Sequence, residues 1–149
     1  MVNQQTRGIK MKTVWVALTS CVLAACASNA SSSAGGNSSL VGSWRLTAVG
    51  NQTIAMTTGT PKMLAFEAGS NKISGNVGCN RLLGIYENDG SSLRFNGVAA
   101  TRMACDPATM QTEQQVIQSL ENVQSWQING KELQLRDDKQ QTILKFQRM

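Results

Sequence analysis

Apolar and polar residues alternate along most of the chain from Leu40 onward, the pattern of strands with one buried face. Leu40 to Val49 reads as a first strand, with Trp44 and Leu46 on one face and Gly50-Asn51 as its turn. Residues 51–61 read as a loop ending at Gly59-Thr60-Pro61. Met63 to Phe66 and Asn71 to Val77 are the next strands, joined by a turn at Glu67-Ala68-Gly69-Ser70. Gly75 and Gly78 weaken this stretch as a ladder and mark a bulge or a close backbone approach. Leu82 to Tyr86 and Leu93 to Phe95 flank a hairpin at Asp89-Gly90, and Val98 to Arg102 reads as a further short strand.

The period then changes. Asp106 can cap a helix and Pro107 suits its first position. Met110, Ile117 and Leu120 share one face, with Val116 beside it, and Gln111, Gln114, Gln115, Gln118 and Glu121 supply surface. Period two returns with Trp126 and Ile128, then Asn129-Gly130, then Leu133 and Leu135. Asn-Gly tolerates positive φ at both central turn positions, so it predicts a tight hairpin. Asp137-Asp138-Lys139 turns once more, and Thr142 to Phe146 is the last strand. Strands, one helix and strands again specify an α+β domain on an antiparallel sheet rather than βαβ units. About eight strands curve such a sheet into a barrel-like layer with the helix packed beside it.

The first 25 residues follow another pattern. Lys10 and Lys12 precede thirteen uncharged residues, Thr13 to Ala25, which suits a signal peptide and falls short of the roughly 20 residues of a membrane span. Met11 is a second candidate start, which would make residues 1–10 an extension. The segment ends Leu23-Ala24-Ala25-Cys26, and all four positions resemble a bacterial lipobox. That resemblance implies cleavage before Cys26 and lipidation of its thiol and amine, enough acyl chain for stable anchoring. Asp after the lipidated residue would favour inner-membrane retention. Ala27 stands there instead, so the expected place is the outer membrane, facing the periplasm. Residues 28–39, SNASSSAGGNSS, read as a flexible tether of roughly 20 Å. The expected division is signal peptide 1–25, lipidated Cys26 with tether 26–39, and one domain over 40–149.

This division changes the charge. The whole chain carries +5, which at first glance points toward nucleic acid. Three basic residues (Arg7, Lys10, Lys12) and no acidic one precede Cys26, leaving eleven basic against nine acidic residues, or +2. The remaining basic residues are scattered, so no nucleic-acid partner is expected. The chain contains no histidine. That removes Ser-His-Asp and Cys-His nucleophile pairs, His-ligated zinc and the ordinary base near neutral pH. No catalytic residue, metal or cofactor is therefore assigned.

Of four cysteines, Cys21 lies in the signal peptide and Cys26 is the lipidation site. In an oxidising compartment Cys79 and Cys105 read as a disulfide, the alternative being two buried free thiols. Met103, Cys105 and Met110 could form a soft Cu(I) site, although core methionines are the commoner use.

Two motifs go beyond composition: Ser74-Gly75-Asn76-Val77-Gly78-Cys79-Asn80-Arg81, and Thr101-Arg102-Met103-Ala104-Cys105 just before the helix. With Gly42-Ser43-Trp44 they resemble the META domain, or HslJ-like, family over about residues 40–147. The resemblance implies a compact antiparallel sheet curved around a core with one helix, commonly in exported lipoproteins, and no established enzymatic activity. Its loosely described roles concern heat stress and novobiocin tolerance. Within the motifs, Asn80 can form an Asx-type turn with its own backbone. A Cys79–Cys105 bond would bring Arg81 and Arg102 together, making Asn80, Arg81 and Arg102 candidate contacts for an anion or partner. The alternative pairs each arginine with Asp106, Glu87 or a backbone carbonyl.

The expected function is a non-enzymatic, lipid-anchored envelope domain with a binding or stress-tolerance role. Its partners are the membrane through Cys26 and an envelope protein or small ligand. One alternative is a carrier of a small apolar ligand, excluded if Trp44, Phe66, Trp126 and Phe146 fill the sheet interior, or an inhibitor of an envelope enzyme. Another is a thiol redox protein, against which stands the lack of a C-x-x-C motif.

Overall fold

The computed structural model describes residues 39–56 and 59–149. The signal segment, Cys26 and most of the tether lie outside them.

Among the described residues, nine strands and one helix follow in order: β1 (Gly42–Val49), β2 (Gln52–Thr53), β3 (Met63–Phe66), β4 (Lys72–Asn76), β5 (Arg81–Asp89), β6 (Ser92–Ala100), α1 (Pro107–Glu121), β7 (Ser125–Asn129), β8 (Glu132–Arg136) and β9 (Thr142–Arg148). Each strand pairs antiparallel with its neighbour in the order β2-β1-β3-β4-β5-β6-β7-β8-β9, and β1 also pairs with β9. The sheet is thus a closed, barrel-like ring, with β2 as a short addition to β1. The expected α+β architecture is the observed one.

The ring packs around its own side chains. Trp44 and Leu46 of β1, Leu64 and Phe66 of β3, Leu133 and Leu135 of β8, and Leu144 and Phe146 of β9 all point inward and are buried. Each large apolar side chain so buried contributes about 1.5–3 kcal/mol relative to exposure. Alternation in β1 breaks after Leu46, where a bulge against β9 shifts the register and turns Val49 inward. Glycine serves close approach at Gly75: it faces Leu64 and Leu82 on its two neighbours, and a Cβ there would run into the Met63 carbonyl. The first strand is held to the last from outside the ladder as well. The Arg148 guanidinium lies 4.2 Å from the Trp44 ring centroid and donates to the Val41 and Ser39 carbonyls.

Four details differ from the sequence reading. Gln52–Thr53 pairs with β1 inside the expected loop. The stretches around Leu93–Phe95 and Val98–Arg102 form one strand that ends at Ala100. Gly97, at φ +59°, and Val98 together oppose Gly84, so a glycine bulge replaces the expected break. Trp126 is only partly buried, its indole N–H donating to Asn88 Oδ1 (2.7 Å) and the Gly90 carbonyl (3.1 Å).

The fourth difference is the helix face. α1 buries Glu113, Val116 and Leu120, while Met110 is exposed and Ile117 half-buried. Positions 113, 116 and 120 follow helical spacing as well as 110, 117 and 120 do. The structure selects the stripe that contains a carboxylate, because hydrogen-bond donors wait for it on the sheet side.

Candidate functional site

Those donors come from the turn between β4 and β5. Asn76 Oδ1 accepts from the Gly78 N–H (3.2 Å), an Asx-type turn that curls the chain at the end of β4. Gly78 then lies against α1. A Cβ there would stand 2.7 Å from Glu113 Cβ and 3.0 Å from the Thr109 carbonyl, so only glycine lets the turn approach this closely. The approach brings the next backbone amides onto Glu113. Its Oε2 accepts from the Cys79 N–H (2.8 Å) and the Asn80 N–H (2.6 Å), and its Oε1 accepts from Asn80 Nδ2 (2.7 Å).

Asn80 extends the network to the other motif. Its Oδ1 accepts from the Thr101 hydroxyl (3.0 Å) and the Met103 N–H (2.7 Å). Thr101 Oγ1 also accepts from the Arg81 N–H (3.1 Å), and the Thr101 N–H donates to the Arg81 carbonyl (3.0 Å). The Cys79–Cys105 disulfide closes the same region, with its Cα atoms 6.2 Å apart. Asp106 follows at once and caps α1 by accepting from the Thr109 N–H (2.9 Å), and hydrogen bonds from the Thr109 side chain and then its backbone hold the carboxyl below its ordinary pKa. The two motifs and the helix therefore form one clamp.

Chemically this is a holding device. A carboxylate has about four acceptor positions, and three on Glu113 hold N–H donors of the turn. Asn80 is 4 % exposed and Glu113 6 %. Among the described residues, no three His, Cys, Asp or Glu side chains gather into a possible metal site. The sulfur of Cys105 is used in the disulfide and is no thiolate ligand for a soft metal.

A family model described as META domain matches residues 38–149. The chain belongs to the META domain family. The Ser74–Arg81 and Thr101–Cys105 segments on which its resemblance rested are the two sides of this clamp. No curated protein matches the sequence. Solved structures share the fold. One, determined by NMR, is 23% identical, with a TM-score of 0.58 over 72% of this chain and 89% of the other. A second NMR structure, of a Burkholderia xenovorans protein, is 29% identical, with a TM-score of 0.55 over 72% and 81%. A DUF4847 family protein from Bacteroides vulgatus is 16% identical, with a TM-score of 0.52 over 72% and 92%. Membership makes this a cell-envelope-associated protein. Among the described residues no helix is long and apolar enough to cross a membrane.

Within this META domain the candidate contact residues separate. Asn80 faces inward and its amide is engaged on both sides, so it is not a surface contact and its own turn is made by Asn76 instead. Arg81 and Arg102 are both exposed but line different depressions, Arg81 beside β3 and β4 and Arg102 beside α1. The carboxylates named as their alternative partners bond elsewhere: Glu87 accepts from Asn96, and Asp106 caps α1. Sequence reasoning missed Glu113. Its signal was its place on the Val116–Leu120 stripe, where a charged residue at a core position calls for a partner.

Proposed function

We propose that this META domain protein is a non-enzymatic, lipid-anchored binding domain of the cell envelope, on the outer membrane and facing the periplasm. Its role is in tolerance of stress such as heat or novobiocin-type antibiotics. The observation that carries the binding reading is the use made of Glu113 and Asn80. The buried polar groups spend their hydrogen bonds on fixing two loops against one helix, which supports a rigid presenting surface rather than a reacting centre. Trp44, Phe66 and Phe146 fill the ring, which speaks against an apolar ligand carried inside it. The lipobox at Leu23–Cys26 supports the anchor, and Ala27 supports the outer membrane.

The test is labelling with radioactive palmitate and fractionation of the envelope. The full chain takes up label and sediments with outer membrane, and Cys26→Ala loses the label and appears in the soluble periplasm. An unlabelled, soluble wild type overturns the anchor. A turnover abolished by a point change in the folded domain overturns the non-enzymatic reading.

A further inference from the structure

We infer that the groove between β6 and α1 is a docking site for an extended peptide segment of a partner protein, added as one further strand to the free edge of β6. The inference rests on the binding-domain reading above and names the partner's chemistry.

The edge comes first. β7 covers β6 only at its start, through the pair Ser92↔Ser125 and the Leu93 N–H donated to the Gln124 carbonyl (3.1 Å). Beyond that point the position a strand would occupy is bordered by α1. On the opposite side, the Thr101 N–H donates to the Arg81 carbonyl, which makes Leu82↔Ala100 a pair whose own amides point away from each other. The Ala100 N–H and carbonyl therefore face the groove. A group that meets a strand's donor and acceptor at once is another strand.

Shape and lining agree. The groove is an open depression of about 1190 Å³ between residues 98–104 and one face of α1. The fifteen residues of α1 make it about 22 Å long, room for six or seven extended residues at about 3.3 Å each. Met103 (61 % exposed) and Met110 (43 %) line it together with Val98 and Ile117. These are apolar, adaptable surfaces for alternate side chains of an incoming strand. Because α1 closes the far side of the groove, the edge does not invite open-ended pairing.

Charge sets the direction. Arg102 stands at the end where α1 begins, which is also the positive end of the helix dipole, and Glu121 stands in its last turn. Antiparallel addition, as elsewhere in this sheet, then places an acidic residue near the peptide's N-terminus and a basic residue near its C-terminus, with apolar residues alternating between. The disulfide and the Asn80–Glu113 clamp fix both walls in advance, so little ordering remains to oppose binding.

The experiment pans a phage-displayed library of random eight-residue peptides on the full chain, purified from membranes in detergent, and measures the enriched peptides by calorimetry. Enriched sequences are expected to alternate apolar residues between an N-terminal acid and a C-terminal base. Ala100→Pro, which removes only an outward N–H and is tolerated at a strand edge, should weaken them at least tenfold, and Ala100→Ser should leave them unchanged. Arg102→Glu should weaken them likewise and bind charge-reversed peptides better. No enrichment, binding within twofold in Ala100→Pro, or dimerisation of the chain through this edge overturns the proposal. The anchor is read separately: an unlabelled, soluble wild-type chain that still binds the peptides overturns the anchor and leaves the groove standing.

Discussion

A single oxygen atom, Glu113 Oε2, decides how the first motif meets the helix, because it takes both backbone N–H groups of the Cys79–Asn80 turn. Oε1 takes the Asn80 amide, so donors and acceptors are matched atom by atom. That matching predicts the effect of a nearly isosteric change. In Glu113→Gln the amide oxygen stays with the backbone donors, and the new NH2 group faces Asn80 Nδ2, donor against donor. Asn80 cannot rotate to help, since its oxygen holds the Met103 N–H. The variant should lose about 1–3 kcal/mol, the usual range for a buried polar group left unpaired. Adding Asn80→Asp gives the new NH2 an acceptor while keeping the bond to Met103, so the double variant should recover at least half of the loss. Asn80→Asp alone places two carboxylates in contact and should be destabilised. Urea unfolding of the four proteins reads the cycle, and a double variant no more stable than Glu113→Gln refutes the assignment. Little of this was legible in the sequence, because a helical pattern shows which residues share a face and not which donors a distant turn presents to it.

At the level of elements, what could be read was what is local. Asp106-Pro107 starts α1 and Asn129-Gly130 joins β7 to β8, because capping and turn chemistry act within a few residues. What failed was set from a distance. The buried stripe of α1 depends on a turn about 35 positions earlier, and β2 exists only because β1 lies beside it. Arg81 and Arg102 belong to cysteine-bearing motifs that do come together, yet the two side chains line different depressions. The local reading of α1 yields a pH prediction. Bonds from Thr109 hold the Asp106 carboxyl below its ordinary value, so the unfolded chain binds the proton more readily than the folded one. The cap's contribution is thus fully present above the ordinary aspartate range near 4 and is lost as pH falls through that range and below it. Asn caps a helix as well as Asp but does not titrate. Asp106→Asn should therefore match the wild type in Tm at pH 7 and fall less steeply between about pH 5 and 2. Identical slopes in thermal unfolding at stepped pH would show that the cap is not coupled to this proton.

Across the whole molecule, the closing contact joins the two ends of the domain. β1 pairs with β9 from Trp44↔Arg148 to Val49↔Leu144, and the Arg148 guanidinium reaches past the ladder to the Ser39 and Val41 carbonyls. Every other pair in the ring is between neighbours along the chain or nearly so. This one spans about a hundred residues, so its loop-closure entropy must be met before its contacts form. Leu144 and Phe146, both buried, come from the strand made last. Until it arrives, β1 and β8 are bare edges over an open core, the arrangement most prone to pair with other chains. A chain ended before Thr142 should therefore show no cooperative thermal transition and should aggregate. Loss of Met149 alone should matter little, since that residue is exposed and adds one backbone bond, to the Ser43 carbonyl. Circular dichroism melts and sedimentation of the two truncations distinguish the cases. A cooperative transition in the shorter chain would mean that the clamp of Glu113, Asn80 and the disulfide, rather than closure of the ring, is what makes the domain fold as a unit.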